Sequence, residues 1–251
     1  DDLNDWIEPY HGNTHIITPS FDRLSDLGIT FLNCWPAVPW CNPSRVSMLT
    51  GIHPLRSGII TNGSYPFRNH LRYAKTLIQH FAESGYYTYG AGKIFHKDDA
   101  IKEEWDEFYS NNFIPNPVSI PANELPQLVE VRGESFDWEG IDAPLQEWGD
   151  YNTTMGAIDF MERWQASKSE KPFLMILGYR FPHLPWYYPR QFEVKQSGHN
   201  IDMPVDFVPK NYTFISKSYK IIKEAGKWEE AVESYVSSLN FLDYNIGLIL
   251  D

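Results

Sequence analysis

Seven apolar residues, Trp228, Val232, Tyr235, Leu239, Leu242, Ile246 and Ile249, recur at alternating spacings of four and three. That alternation is one face of an α-helix, and a long helix with a single apolar stripe must bury it against another layer. A coiled-coil seam and a helix laid on a sheet both satisfy the pattern. Only about three heptads are present, which favours the sheet. The upstream chain supplies strands for it. Phe173 to Leu177 is a continuous apolar run, the signature of a strand buried on both faces, and Ile29–Leu32 and Tyr86–Tyr89 read as two more. Helices alternate with them. Thr18-Pro19 is a cap followed by proline at the first helical position, Phe21, Leu24 and Leu27 follow at helical spacing, and Gly28 ends the run. A second helix starts just after Cys41, with Pro43 in its first turn and Val46 and Leu49 on one face. A third runs from Thr76 to Ser84 and is stopped by Gly85. A fourth covers Thr153 to Gln165, with Met155, Ile158, Met161 and Trp164 taken as its recurring apolar positions. Residues from about 98 to 150 are rich in Pro, Asn, Glu and Trp and are expected to form a long insertion with little regular structure. The alternation predicts an α/β architecture, a mixed and mostly parallel sheet flanked by helices. A strand should follow the last helix of a βαβ unit and another should precede Asp1-Asp2, so this architecture is expected to be incomplete at both ends.

Composition narrows the function. Of 251 residues, 33 are Asp or Glu and 21 are Lys or Arg, a net charge of −12. Broad binding to nucleic acid or to an anionic membrane surface needs a basic face, and this balance argues against both. No apolar run approaches the roughly 20 residues of a membrane span. The cysteines, Cys34 and Cys41, allow at most one short bridge. Aromatic residues make up 16% of the chain, nine of them Trp, which leaves room for a carbohydrate-stacking surface after the core is filled.

The sharpest chemical signal is Cys41-Asn42-Pro43-Ser44-Arg45, running on through Met48-Leu49-Thr50-Gly51. It puts a nucleophile candidate at a helix N-terminus, where free N–H groups and the dipole favour an anion. Arg45 lies one turn further on, and helical side chains lean toward the N-terminus, so Arg45 is expected to reach back over residue 41. Cys34 has no such setting and reads as a small buried hydrophobe. Ligand sites of open α/β sheets lie beyond the carboxyl ends of strands. Lys93 and His96 follow the strand at Tyr86–Tyr89, and His183 follows the one at Phe173–Leu177, so both groups are expected to face one crevice. His11, His15, His53, His70, His80 and His199 fit no motif, and Lys97 reads as a solvated charge.

Taken together these segments resemble the formylglycine-dependent (type I) sulfatases of the alkaline-phosphatase superfamily. The cysteine motif with Leu49-Thr50-Gly51 is similar to that family's signature. Asp1-Asp2-Leu3 resembles its first pair of metal-binding aspartates, Thr18-Pro19 through Asp22-Arg23-Leu24 its first helix, Gly92-Lys93-Ile94-Phe95-His96 its second catalytic motif and Pro182-His183-Leu184-Pro185 its third. The Lys93-to-His96 spacing and the Gly178-Tyr179 lead-in most resemble the iduronate-2-sulfatase-like branch. The resemblance implies that residues 1–251 are the N-terminal portion of a sulfatase catalytic domain, inactive as an isolated fragment. It implies formylglycine made from Cys41 by a formylglycine-generating enzyme, and Ca²⁺ or Mg²⁺ held by Asp1, Asp2 and modified residue 41. Arg45 and Lys93 would stabilise charge, His183 would protonate the leaving oxygen, and His96 would act on the second hydroxyl of the hydrated aldehyde. The substrate would be a sulfate ester on a carbohydrate, and the location extracytoplasmic: periplasmic, secreted or lysosomal.

Trp186 and Tyr187, with Tyr188 beside them, are candidates for an aromatic wall against a sugar ring, and Trp6, Tyr10 and His11 are placed to join it. Asn62-Gly63-Ser64, Asn152-Thr153-Thr154 and Asn211-Tyr212-Thr213 are glycosylation sequons. Three other readings compete. A phosphate or phosphonate ester hydrolase would use the same signature, a silent glycan-binding relative would keep Cys41 as a thiol, and a papain-like Cys–His hydrolase would leave Arg45 and Asp1-Asp2 without a role.

Overall fold

The computed structural model describes residues 1–13, 15–64, 66–96, 102–109, 136–194, 201 and 217–251. In chain order its helices and strands are α1 (Pro19–Asp26), α2 (Cys41–Thr50), α3 (Pro54–Ser57), α4 (Leu77–Glu83), β1 (Tyr87–Gly92), β2 (Glu107–Tyr109), β3 (Trp138–Ile141), α5 (Gly149–Ser167), β4 (Phe173–Gly178), β5 (Trp186–Pro189), α6 (Lys217–Glu224) and α7 (Trp228–Leu250). The chain divides into two compact units. Unit 1 comprises residues 1–30, 114–151 and 181–251, and unit 2 comprises residues 31–113 and 152–180.

Unit 2 is built on a parallel three-stranded sheet in the order β2-β1-β4. On one side Val46 and Leu49 of α2, Ile78 of α4, and Ile59, Phe67, Ile94, Phe95 and Trp105 form its core. Val46, Leu49 and Ile78 are at most 2% exposed, and burying each stabilises the unit by about 1.5–3 kcal/mol. Aromatic rings assemble around Phe160 of α5, which stacks on Tyr89 at 4.3 Å between centroids and meets Phe173 edge-on at 5.4 Å. The buried face of α5 runs through Thr153, Ala157 and Phe160; Met155, assigned to it from the sequence, is 40% exposed. The reason is angular: steps of three residues advance about 300°, so an every-third series drifts round the helix, whereas mixed steps of three and four stay on one face. The expected strand at Phe173–Leu177 is present as β4, but it is half-buried rather than sealed on both faces. Among the described residues it pairs only with β1. The strand buried at the centre is β1, whose sequence contains two glycines and no long apolar run.

Unit 1 pairs β3 in parallel with β5, from Trp138 opposite Trp186 to Ile141 opposite Pro189. Helix α7 packs against both strands, and α1 and α6 pack against α7. The sheet reading of the long apolar stripe is therefore the right one, but α7 is buried more widely than its stripe. Ser234, Ser237, Ser238, Asp243 and Asn245 are also buried. Ser234 and Ser237 donate to the carbonyls of Glu230 and Glu233 at 2.8 Å, and Asn245 donates to that of Phe241 at 2.7 Å, which lets polar residues sit inside at little cost.

Two further expectations are corrected. Residues 29–32 form no strand: Ile29, Phe31 and Leu32 are 83%, 67% and 67% exposed, and no described strand pairs with them. A β-rich run becomes a strand only where a sheet edge accepts it. Cys34, on the loop that follows, is exposed rather than buried, and both cysteines are free. The expected insertion contains β2 and β3; residues 110–135 lie outside the described residues, as do Lys97, His199 and the sequon at Asn211.

Candidate active site

In unit 2, Cys41 is the first residue of α2 and Trp40 is its N-cap, with no side-chain capping bond. The helix start is anchored by its neighbour instead. The Asn42 N–H donates to Asn62 Oδ1 at 2.9 Å, and the fully buried Asn42 amide donates to the carbonyls of Thr61 and Ser64 at 3.3 and 3.0 Å. Pro43, with no N–H to satisfy, is buried in the same turn. These bonds pin the first turn of α2 and leave Cys41 half-buried at its end. They also engage the first sequon, since Asn62 uses its side-chain oxygen here.

Arg45 follows one turn on. Its Nη1 donates to the Lys93 carbonyl and, at 3.1 Å, to that of Ile94. Arg45 thus ties the helix bearing Cys41 to the turn bearing Lys93 and His96, a linkage the sequence did not reveal. That turn is fixed at the carboxyl end of β1, where Gly92 adopts φ 75° and the Lys93 N–H donates to the Gly178 carbonyl at 2.6 Å. A Cβ on Gly92 would collide with the Gly178 carbonyl, and one on Gly178 with the Lys93 carbonyl. Glycine at both positions lets the ends of β1 and β4 close on each other. Ile94 and Phe95 are buried, leaving Lys93 and His96 half-buried on either side of them.

In unit 1, His183 is 5% exposed. Its Nδ1 donates to the Leu184 carbonyl at 2.6 Å, and its Nε2 lies 3.9 Å from Asp2 Oδ2. Because a carbonyl can only accept, Nδ1 carries the proton and Nε2 is the nitrogen on the side of Asp2. Asp2 is exposed with φ 58°, and its carbonyl accepts from the Tyr235 hydroxyl at 3.1 Å; Asp1 beside it is half-buried. Two adjacent carboxylates are a hard donor set that suits Ca²⁺ or Mg²⁺.

The aromatic candidates separate. Tyr187 is buried and donates its hydroxyl to Asp137, so it packs the β3–β5 layer instead of presenting a free face. Trp186 is half-buried, donates to the Pro182 carbonyl at 2.8 Å and meets Tyr235 edge-on. Asp150 accepts from the Phe181 N–H at 2.9 Å and holds the segment leading to His183. Asp137, Asp150 and the hydroxyl of Tyr235, read only as part of the apolar stripe, escaped the sequence reading as site groups. Their only signal was an acid or hydroxyl inside an aromatic-rich stretch, and that pattern is common without function.

The fold is similar to solved structures of known proteins. One is i-CgsB in complex with a neocarrahexaose, at a TM-score of 0.57 and 16% identity, covering 100% of this chain and 52% of that one. Another is BT4656 in complex with its substrate D-glucosamine-2-N,6-O-disulfate, at 0.56 and 18%, covering 98% and 58%. In sequence the chain is 28% identical to a sulfatase of Formosa agariphila over 284 residues, covering 100% of this chain and 53% of the relative. It is 31% identical to iduronate 2-sulfatase of Homo sapiens over 214 residues, covering 82% and 38%. The chain therefore spans about half the length, or less, of these two relatives. The sulfatase family model matches residues 1–251. With that match over every residue, the chain belongs to the sulfatase family.

Proposed function

We propose that the protein hydrolyses a sulfate ester on a carbohydrate, with residue 41 as the nucleophile, and that both units belong to one catalytic domain. The observation that carries this reading is Cys41 on the first turn of α2, with Arg45 of the same helix bonded to the turn that holds Lys93. Converted to formylglycine by a maturation enzyme and hydrated, residue 41 would supply a hydroxyl. Arg45 and Lys93 would supply positive charge toward it in a protein whose net charge is −12, as a sulfuryl group developing negative oxygens requires. His183, with Nδ1 committed to Leu184, offers Nε2 to the leaving oxygen. His96, on the turn whose Lys93 and Ile94 carbonyls accept from Arg45, would be the base for the later step. Asp1 and Asp2 would hold a hard divalent cation, which when bound supplies Lewis acidity toward sulfuryl oxygens. Trp186 is the remaining candidate for contact with the sugar. The same reading puts the protein outside the cytoplasm; among the described residues no helix is long and apolar enough to cross a membrane.

The test uses protein from a host that contains the maturation enzyme. Residue 41 should label with a hydrazide, and Cys41→Ala should abolish both labelling and sulfate-ester turnover, whereas Cys34→Ala should spare both. Faster turnover of phosphate or phosphonate esters than of sulfate esters would overturn the substrate assignment. Equal loss in the Cys34 variant would overturn the nucleophile.

A further inference from the structure

Unit 1 contains a cavity of about 290 Å³ walled by aromatic rings: Trp6, Phe136, Trp186, Tyr219, Trp228 and Tyr235. The rings brace one another edge-on. Trp6 and Trp186 meet Tyr235 at centroid separations of 5.9 and 5.5 Å, Phe136 meets Trp186 at 5.2 Å, and Tyr219 meets Trp228 at 4.9 Å. Asn4 supplies an amide, and among the described residues no Lys, Arg, His, Asp or Glu lines the wall. The cavity shares residues with the candidate site of the same unit. The Tyr235 hydroxyl donates to the Asp2 carbonyl at 3.1 Å and accepts from the Asn4 N–H at 3.0 Å, and Trp186 is bonded to Pro182, next to His183.

Size and chemistry together limit the occupant. Ligand pockets run to about 300–1,000 Å³, so this one holds a single ring. An anion would enter with no cation among the described lining residues to meet it, which burial penalises heavily. A purely alkyl ligand would leave the Asn4 amide without a match. A ring with an apolar face and a rim of hydroxyls satisfies both constraints, since Trp and Tyr combine a large apolar surface with a polar tip.

We propose that this cavity is a saccharide subsite that takes one neutral, unsulfated hexopyranose ring, next to the ring that carries the ester. The proposal rests on the sulfatase reading for the identity of the neighbouring ring, while the binding itself is measured without turnover. Methyl β-galactoside, methyl β-glucoside, methyl α-mannoside and methyl β-glucuronide are titrated into the protein, following tryptophan fluorescence and calorimetry. At least one neutral glycoside should bind saturably, with the glucuronide at least tenfold weaker. Trp6→Ala should weaken the neutral ligand at least tenfold and Trp6→Phe should recover part of the loss. Trp228→Ala, on a different element, is the second probe, and circular dichroism checks that each variant is folded. Absence of binding by all three neutral glycosides, equal binding of the glucuronide, or unchanged binding in both folded alanine variants would overturn the proposal. Binding without any sulfate-ester hydrolysis would remove the sulfatase reading and leave the glycan site. Hydrolysis of a sulfated sugar without such binding would do the reverse.

Discussion

The Tyr89 hydroxyl is buried at the centre of the unit 2 sheet with no hydrogen-bond partner among the described residues. Burial first, and the nearby Glu107 carboxylate second, push its pKa up to about 12. In the unfolded chain the phenol ionises near its ordinary value of 10.0, so between these values the folded state binds more protons. The contribution to stability is whole below pH 10 and is lost as the pH climbs toward 12. Burial raises the Tyr235 phenol in the same direction. Tyr89→Phe removes an unsatisfied buried hydroxyl, so it should leave stability at pH 7 unchanged or improve it by up to about 1 kcal/mol. It should also flatten the loss between pH 10 and 12 in urea unfolding; an unchanged alkaline slope would contradict this. The two histidines are separated by leaving group. If His183 protonates the leaving oxygen, His183→Ala should slow hydrolysis of a sulfated sugar by about 10²–10⁴. A nitrophenyl sulfate, whose leaving group needs no proton, should be far less affected. His96→Ala should instead release one equivalent of alcohol and then stall, with the mass of the sulfuryl group retained by the protein. Equal slowing of both substrates by His183→Ala would mean that the roles assigned here are wrong. Cys41 and Arg45 were legible as residues because the helix signal around them is local. That Arg45 is bonded to the Lys93 turn was not, because that bond spans 48 residues.

Helix α1 depends for its start on another helix. Its N-cap, Thr18, makes no side-chain capping bond and uses its hydroxyl to accept from the Glu8 N–H at 2.9 Å. The orphan N–H groups go instead to Asp243 of α7, whose carboxylate accepts from Ser20 at 3.0 Å and from Phe21 at 2.9 Å. Asp243→Ala should cost about 1–2 kcal/mol, the range for losing a cap, and should speed amide exchange at Ser20 and Phe21 before the rest of unit 1. Burial raises the Asp243 pKa above 3.8, against the lowering effect of the Phe21 and Ser20 N–H groups. A raised acid binds its proton more tightly in the folded state, so its contribution is whole below the unfolded value and falls as the pH rises through the folded one. Asp243→Asn should remove that part of the acid-range dependence, which thermal melts between pH 3.5 and 6 would register. The start of α1 at Thr18-Pro19 was readable because proline sets its own φ. The true cap was not readable, being supplied from 223 residues away. Helix α4 is the opposite case: Thr76 and Gln79 form a reciprocal capping box, and its Thr-x-x-Gln pattern was in plain view.

For the protein as a whole, the acidic balance and the Asp1-Asp2 pair make divalent cations the natural thermal probe. Ca²⁺ or Mg²⁺ binding to the folded state should raise stability by about 2.7 kcal/mol at a hundredfold excess over the dissociation constant. The double variant Asp1→Asn with Asp2→Asn should remove the shift. A melting temperature unmoved by either ion and by chelator would end the metal assignment. At this scale the sequence by itself determined the α/β class and the positions of α1, α2, α4 and α7. Each of these is carried by a periodicity, a cap or a short spacing within one stretch of chain, where i, i+3 and i+4 geometry or a single turn dictates the outcome. Tertiary structure alone decided which strand lies at the centre of the sheet, that residues 29–32 form no strand, that Tyr187 packs inward while Trp186 faces a cavity, and that Asp243 caps α1. In each case the deciding partner lies far along the chain. A sheet edge, a ring from another helix or an orphan N–H is brought within reach only when the core closes, and no local pattern encodes where that partner will be.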